Sequence, residues 1–198
     1  MKLKTLYRVR GGALFVNDPA LAIRAEIIRE KGTDRSRFFR GEVDKYTWKE
    51  VGSSYLPGEV TAAFLWAQLQ EAERITNQRL DIWDKYNRLI EPLENKGLLR
   101  RPILPVDCQH NAHMYFVLLP IGIDRQKVLS ELKKNEIHAV FHYVPLHSSP
   151  GGRRFGRTSG DLDVTIRQSE RLVRLPLWIG LTPEQQDRVV DVLEQILD

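Results

Sequence analysis

What this chain can fold into is constrained most by the residues after Pro57. Val60, Ala63, Phe64 and Ala67 recur at spacings of three and four, and Ile75, Ile82, Tyr86, Leu89 and Leu93 carry a stripe onward. That is the period of an α-helix with one apolar face. The spacing predicts one long helix, or two with a bend, brought to an end by Pro92 and Gly97. Such a face has to be buried against other elements, so the helix cannot stand alone. It is entered from Gly52-Ser53-Ser54-Tyr55-Leu56, a tight polar turn in which Gly and Ser are ordinary turn formers.

On the amino-terminal side, Gly11-Gly12-Ala13-Leu14-Phe15-Val16 reads as a strand that stops at Asn17-Asp18-Pro19. Pro19 suits a first helical turn, and Leu21, Ile23, Ala25, Ile27 and Ile28 fit a helix running to the breaker Gly32. Residues 33–58 lose periodicity and are expected to form a long irregular connection, of the kind that is functional in a compact domain. On the carboxyl side, Arg101-Pro102 through Pro105 is a proline-rich linker. Met114 to Leu119 has strand length and composition, Asp124 to Lys134 is a short helix with Val128, Leu129 and Leu132 inward, and Ile137 to Phe141 is a second strand. Residues 148–163 read as a Gly- and Ser-rich loop, Val164 to Arg171 as helix and Leu172 to Leu175 as extended. Thr182-Pro183-Glu184-Gln185 is a capping box opening the last helix. The sum is an α/β chain in three stretches: 1–56, 57–100 and 101–198.

The 198 residues, 42% hydrophobic and 28% charged, have the composition of a soluble globular protein. The net charge of +4 comes from 30 basic residues interspersed with 26 acidic ones, without a run of five or more like charges. Together with the lack of a helix-turn-helix or aromatic RNA motif, this argues against a nucleic-acid module. The single cysteine, Cys108, cannot close an internal disulfide, and no apolar run approaches a membrane span. No membrane partner is expected, and the cytoplasm is the expected compartment.

Gly52 to Leu56 with Thr61-Ala62-Ala63-Phe64-Leu65-Trp66-Ala67-Gln68-Leu69, then His142-Tyr143-Val144-Pro145-Leu146-His147, then Ser169 to Leu177, together resemble the DegT/DnrJ/EryC1/StrS family of sugar aminotransferases. The resemblance runs from Gly11 onward and corresponds to the carboxyl-terminal half of such an enzyme. Phe38-Phe39-Arg40-Gly41-Glu42-Val43-Asp44-Lys45-Tyr46-Thr47-Trp48 is similar to the dTDP-4-amino-4,6-dideoxygalactose transaminase branch. The implied fold is the C-terminal part of a fold-type-I aminotransferase: a small α/β domain, a long helix and a remnant of the large domain. The implied cofactor is pyridoxal 5'-phosphate. The implied reaction moves an amino group from glutamate to a dTDP-linked 4-keto-6-deoxyhexose for surface-polysaccharide synthesis. The implied partners are that sugar nucleotide, the amino donor, and a second copy of the chain or a complementary N-terminal half.

An aminotransferase needs one lysine held as a Schiff base with its cofactor. By resemblance that residue is Lys4, seven positions before Gly11, although Met1-Lys2-Leu3 and Thr5 depart from the family's Ser-Phe-His-x-x-Lys-Asn approach; the alternative is a solvated lysine on a frayed terminus. Ser54 stands where most relatives carry an Asn that reaches the neighbouring subunit's cofactor phosphate; the alternative is a turn residue at a helix entry. Arg40 and Lys45 could meet diphosphate oxygens, with Tyr46 or Trp48 on a base or sugar face, or they could form a surface ion-pair cluster. His142 is the substrate candidate of the segment that closes over the nucleotide, and Pro145 between His142 and His147 speaks against a zinc pair. His110 and His113 are either site or structural histidines. The phosphate cradle, the pyridine-nitrogen aspartate and the ring-stacking side chain belong to the family's other half, so activity is expected of the full-length form; the alternative is a noncatalytic remnant that folds and pairs through exposed apolar surface.

Overall fold

The computed structural model describes residues 12–198, which form two compact units divided between Ala72 and Glu73. Lys4 and Gly11 lie outside the described residues.

In the first unit, α1 (Pro19–Arg29) starts at Asp18, whose carboxylate accepts the Ala20 N–H at 2.9 Å, with Pro19 in the first turn where its missing N–H costs nothing. The helix stops at Glu30, and Gly32 turns the chain at φ +75°. The Gly32 carbonyl then accepts the N–H groups of Lys49 and Glu50 at 2.7 and 3.1 Å. A Cβ on Gly32 would sit 1.6 Å from the Glu50 carbonyl oxygen, and one on Gly52 would sit 2.2 Å from the Gly32 nitrogen. Only two glycines let these backbones cross so closely. Between them lies α2 (Arg35–Phe39), a short helix within the stretch expected to be irregular throughout. After Gly58 comes α3 (Glu59–Gln70), capped by Glu71.

Of the strand expected over 11–16, the described part does not form: Gly12 to Asp18 is irregular, and Leu14 and Phe15 are exposed. An extended segment becomes a strand only when a neighbour takes its N–H and C=O groups, and no strand in this unit does so among the described residues.

The second unit carries the hydrophobic core. Its helix α4 (Ala72–Asn95) presents Ile82, Trp83, Tyr86, Ile90 and Leu93 to that core, so the helical stretch is two helices interrupted at Glu71. Pro92 is tolerated in the last turn, and Gly97, at φ +78°, follows the end. Strand β1 (Tyr115–Leu118), helix α5 (Arg125–Lys134) and strand β2 (Val140–Phe141) make the expected strand-helix-strand unit, although β2 is only two residues long. The sheet order is β1-β3-β2, and β3 (Leu172–Leu175) is antiparallel to both neighbours, with Tyr115 opposite Leu175 and Val140 opposite Arg174. The last strand in sequence therefore fills the slot between two parallel strands. A 3₁₀ turn (Leu146–Ser148) leads into the Gly- and Ser-rich stretch, which is more ordered than its composition predicted: it holds α6 (Pro150–Phe155), before α7 (Asp163–Arg171) leads into β3. The final helix α8 (Pro183–Leu197) carries the capping box in full.

Packing follows the alternation. Tyr115 and Val117 of β1 and Val173 and Leu175 of β3 face the core with Val128 and Leu132 of α5 and Val189, Val190 and Leu193 of α8. One polar side chain is taken in: Gln186 is buried and donates Nε2 to the Ile82 carbonyl at 2.8 Å, which satisfies part of an amide that would otherwise be costly there. The units divide after Ala72, and α4 buries its stripe with the carboxyl-terminal elements.

Candidate functional site

The first cluster of expected site residues lies on the loop after α1. Asp34 is 3% exposed, and its carboxylate accepts the Thr47 N–H at 2.6 Å while Lys49 Nζ stands 3.4 Å from its second oxygen. The Thr47 N–H, together with Lys49, holds the Asp34 carboxyl below its usual range despite desolvation. Sequence reading gave Asp34 no role; an Asp after a helix-stopping Gly and before Arg35 looks like a cap, yet its side chain caps nothing. Arg40 donates Nη1 and Nη2 to the two oxygens of Glu26 at 2.7 and 2.9 Å and Nε to Glu42 at 2.6 Å. Hydrogen bonding to Arg40 lowers both carboxyls. Lys45 is exposed, and Tyr46, half exposed, sets its ring edge-on to Phe38 at 5.6 Å.

Ser54 is tied down through its backbone neighbours. Lys31 N–H donates to the Ser53 carbonyl, Ser53 N–H to Ile28 and Tyr55 N–H to Arg29, with Ser54 bridged to Glu30. The turn is fixed on the end of α1 while the Ser54 side chain stays on the surface.

In the second unit a groove of about 390 Å³ opens beside β2, lined by Phe141, His142, Tyr143, Arg125, Arg153 and Glu170 among others. Each wall has a local cause. Asp124 caps α5 and so fixes Arg125, whose guanidinium lies 5.4 Å from the Phe141 ring centre and donates to the Ser169 carbonyl. Ser149 caps α6 by accepting the Gly152 N–H at 3.0 Å, which sets Arg153 on the opposite side. His142 is half-buried and meets Tyr143 edge-to-face at 5.1 Å. Cationic and aromatic groups converge here with one carboxylate, a set suited to an anionic ligand carrying a ring. His147 sits apart from this lining, in the 3₁₀ turn. Arg125 was missed from sequence because it stands in an ordinary helix-start context, and Arg153 because it lies in a stretch read as a Gly- and Ser-rich loop; only the fold brings them to His142.

His110 and His113 occupy structural positions. His110 packs on Trp83 at 4.5 Å and accepts the Ala112 N–H, and the His113 and Ala112 carbonyls receive the Arg79 guanidinium at 2.9 and 3.1 Å. Burial lowers the Arg79 pKa without removing its charge.

A pyridoxal phosphate site needs an attaching lysine, a carboxylate for the ring nitrogen and a face to stack on. The His142 groove has aromatic faces but no lysine or aspartate, and the shallow groove along α5 has Asp124 and Lys127 but no aromatic side chain. The described residues do not compose that site by themselves, and no step is derived through the cofactor.

A three-stranded sheet of this order, backed by α4, α5 and α8, is the fold found in part of the pyridoxal-phosphate-dependent sugar aminotransferases. Helicobacter pylori PseC, an aminotransferase involved in the biosynthesis of pseudoaminic acid, superposes with a TM-score of 0.76 at 19% identity, over 92% of this chain and 47% of that one. The chain belongs to the DegT/DnrJ/EryC1/StrS aminotransferase family, which matches residues 2–194 and whose cofactor is pyridoxal phosphate. It is 29% identical to protein MJ1066 of Methanocaldococcus jannaschii, over 98% of this chain and 51% of the relative. It is 28% identical to the GDP-perosamine synthase of Caulobacter vibrioides, over 94% and 48%. The chain thus spans about half the length of the curated relatives it matches.

Proposed function

We propose that this chain is the C-terminal portion of a cytoplasmic, homo-oligomeric aminotransferase that converts a dTDP-linked 4-keto-6-deoxyhexose to its 4-amino sugar, with glutamate as donor, for surface-polysaccharide synthesis. The supporting observation is the family match along residues 2–194 joined to half-length coverage of the relatives. In this reading Lys4 is the attachment lysine, Ser54 a hydroxyl offered to the cofactor phosphate of a neighbouring subunit, and His142, Lys45 and Tyr46 contacts to the sugar nucleotide. The groove around His142 supports it chemically, since Arg125 and Arg153 suit phosphate oxygens and the aromatic walls suit a base or sugar ring.

A second reading has its own observation. Helix α3 exposes Val60, Phe64 and Trp66, and the described residues do not form a cofactor pocket. A noncatalytic remnant that pairs through this surface would look the same.

The experiment is complementation. The chain is co-purified with the amino-terminal half of a full-length relative, pyridoxal phosphate is added, and glutamate-dependent amination of dTDP- and GDP-linked 4-keto-6-deoxyhexoses is followed. Assembly, an imine absorbance lost in Lys4→Ala, and preference for the dTDP sugar are expected. Assembly without absorbance or turnover would favour the remnant, and preference for the GDP sugar would overturn the carrier assignment.

A further inference from the structure

Two polar anchors hold the ends of one exposed loop. At its start, Gly41 turns the chain at φ +74° and donates its N–H to the Phe38 carbonyl at 2.9 Å, and Arg40 clamps Glu26 of α1 against Glu42. At its end, the buried Asp34 carboxylate takes the Thr47 N–H, and the Lys49 N–H reaches the Gly32 carbonyl. Lys45 and Tyr46 sit between the anchors, directly before Thr47, and both are exposed. Arg40 is itself a poor phosphate ligand. Its guanidinium makes four hydrogen bonds to two carboxylates, so its donors are already engaged and an arriving diphosphate would have to displace a glutamate to reach them.

We propose that Asp34 and Arg40 are positioning residues, which hold the 41–47 loop so that the Lys45 ammonium and the Tyr46 ring are presented together to the diphosphate and the ring of a nucleotide. This rests on the sugar-nucleotide reading above, and it moves Arg40 from ligand contact to strut. Lys45 supplies a mobile point charge for phosphate oxygens, and Tyr46, braced edge-on by Phe38, supplies a flat face whose direction depends on the Thr47 N–H being held. Losing either anchor frees the presentation without removing either contacting side chain.

The test uses the full chain and thymidine diphosphate as the probe. Amide exchange across 41–49 is measured alongside calorimetric titration in the wild type and in Asp34→Ala, Asp34→Asn, Arg40→Met, Lys45→Ala and the Asp34→Ala/Lys45→Ala double variant. Asp34→Ala is expected to lose Thr47 protection while α3 keeps its own, and to weaken binding about tenfold. Asp34→Asn keeps an acceptor for the Thr47 N–H and should recover most of that loss. Arg40→Met should weaken binding although it removes a positive charge already paired with glutamates. The double variant should lose less than the sum of the two single losses, because with Lys45 gone the anchor has only Tyr46 left to place. Unchanged Thr47 protection in Asp34→Ala, or additive losses in the double variant, would overturn the proposal. A wild-type chain with a protected Thr47 amide that ignores thymidine diphosphate would also overturn it, and would leave the transaminase reading to be decided by complementation.

Discussion

From Ile82 onward the buried hydrophobic side chains, Leu118 apart, join in one cluster that takes in helix, sheet and loop alike, whereas among the described residues up to Ala72 no hydrophobic side chain is fully buried. The first unit keeps its shape by other means: a carboxylate on a backbone N–H, a guanidinium between two glutamates, and two glycines where the chain crosses itself. An apolar core is non-directional and tolerates exchanges of similar volume. A polar scaffold depends on geometry and fails at single atoms. The second unit is thus built to persist, and the first to hold particular backbone positions in place.

Substitutions can break this contrast in order of expected effect. Leu132→Ala, at a fully buried position in α5, should lower the stability of the second unit by about 2–5 kcal/mol, read by chemical denaturation. Gly32→Ala should cost about 1–3 kcal/mol from the left-handed backbone alone, with more from the clash at the Glu50 carbonyl. The contrast predicts that the loss appears as amide exchange in 28–55 while β1 and α8 remain protected; loss of protection across both units would refute it.

A smaller effect is expected at the ion pair between Arg101 and Glu94 in the second unit. Half-buried Arg101 donates to Glu94 at 2.6 Å and to the Asn87 carbonyl at 2.8 Å. Burial pushes the Glu94 carboxyl up, but the hydrogen bonds and charge of Arg101 outweigh it, and the net shift is downward. A carboxyl with a depressed folded pKa contributes stability above its ordinary range near about 4.3, and that contribution is lost as pH falls through the folded value. Glu94→Gln should therefore cost about 1 kcal/mol at pH 7 and flatten the acid limb of the stability profile. An unchanged acid limb would assign it elsewhere. The smallest effect is expected at Tyr86, whose buried hydroxyl has no hydrogen-bond partner among the described residues and whose pKa is driven up by burial. Tyr86→Phe removes an unpaid desolvation at constant shape and should leave the melting temperature unchanged or raise it; a clear fall would reveal a partner for that oxygen.

The sequence showed the second unit more clearly than the first, for reasons visible in single residues. Asp124, Thr182 and Gln185 announce helix starts by local chemistry, and the α4 stripe and the β1 run announce burial by period. Position within the sheet is not local: Val173 and Leu175 say that β3 is half-buried, but nothing in Leu172 to Leu175 says that it lies between β1 and β2. Helix α6 was hidden by Gly151 and Gly152, which disfavour helix on propensity. Gly152 is there because a Cβ would stand 1.7 Å from the Leu146 carbonyl oxygen. Among the site residues, His142, Lys45 and Tyr46 stood out through family resemblance, while Asp34, Arg125 and Arg153 matter only through neighbours distant in the chain. The strand expected at 11–16 is missing over 12–16 for the same reason in reverse, since those residues suit a ladder that no neighbour among the described residues supplies.

The order β1-β3-β2 also governs how the molecule can be made. A chain emerging from the ribosome that has reached only Arg171 holds two short parallel segments with a gap between them, and neither edge of that gap can close until Leu172 to Leu175 arrives. Assembly of the sheet therefore waits for that strand, and truncation before it removes the middle of the sheet and not its margin.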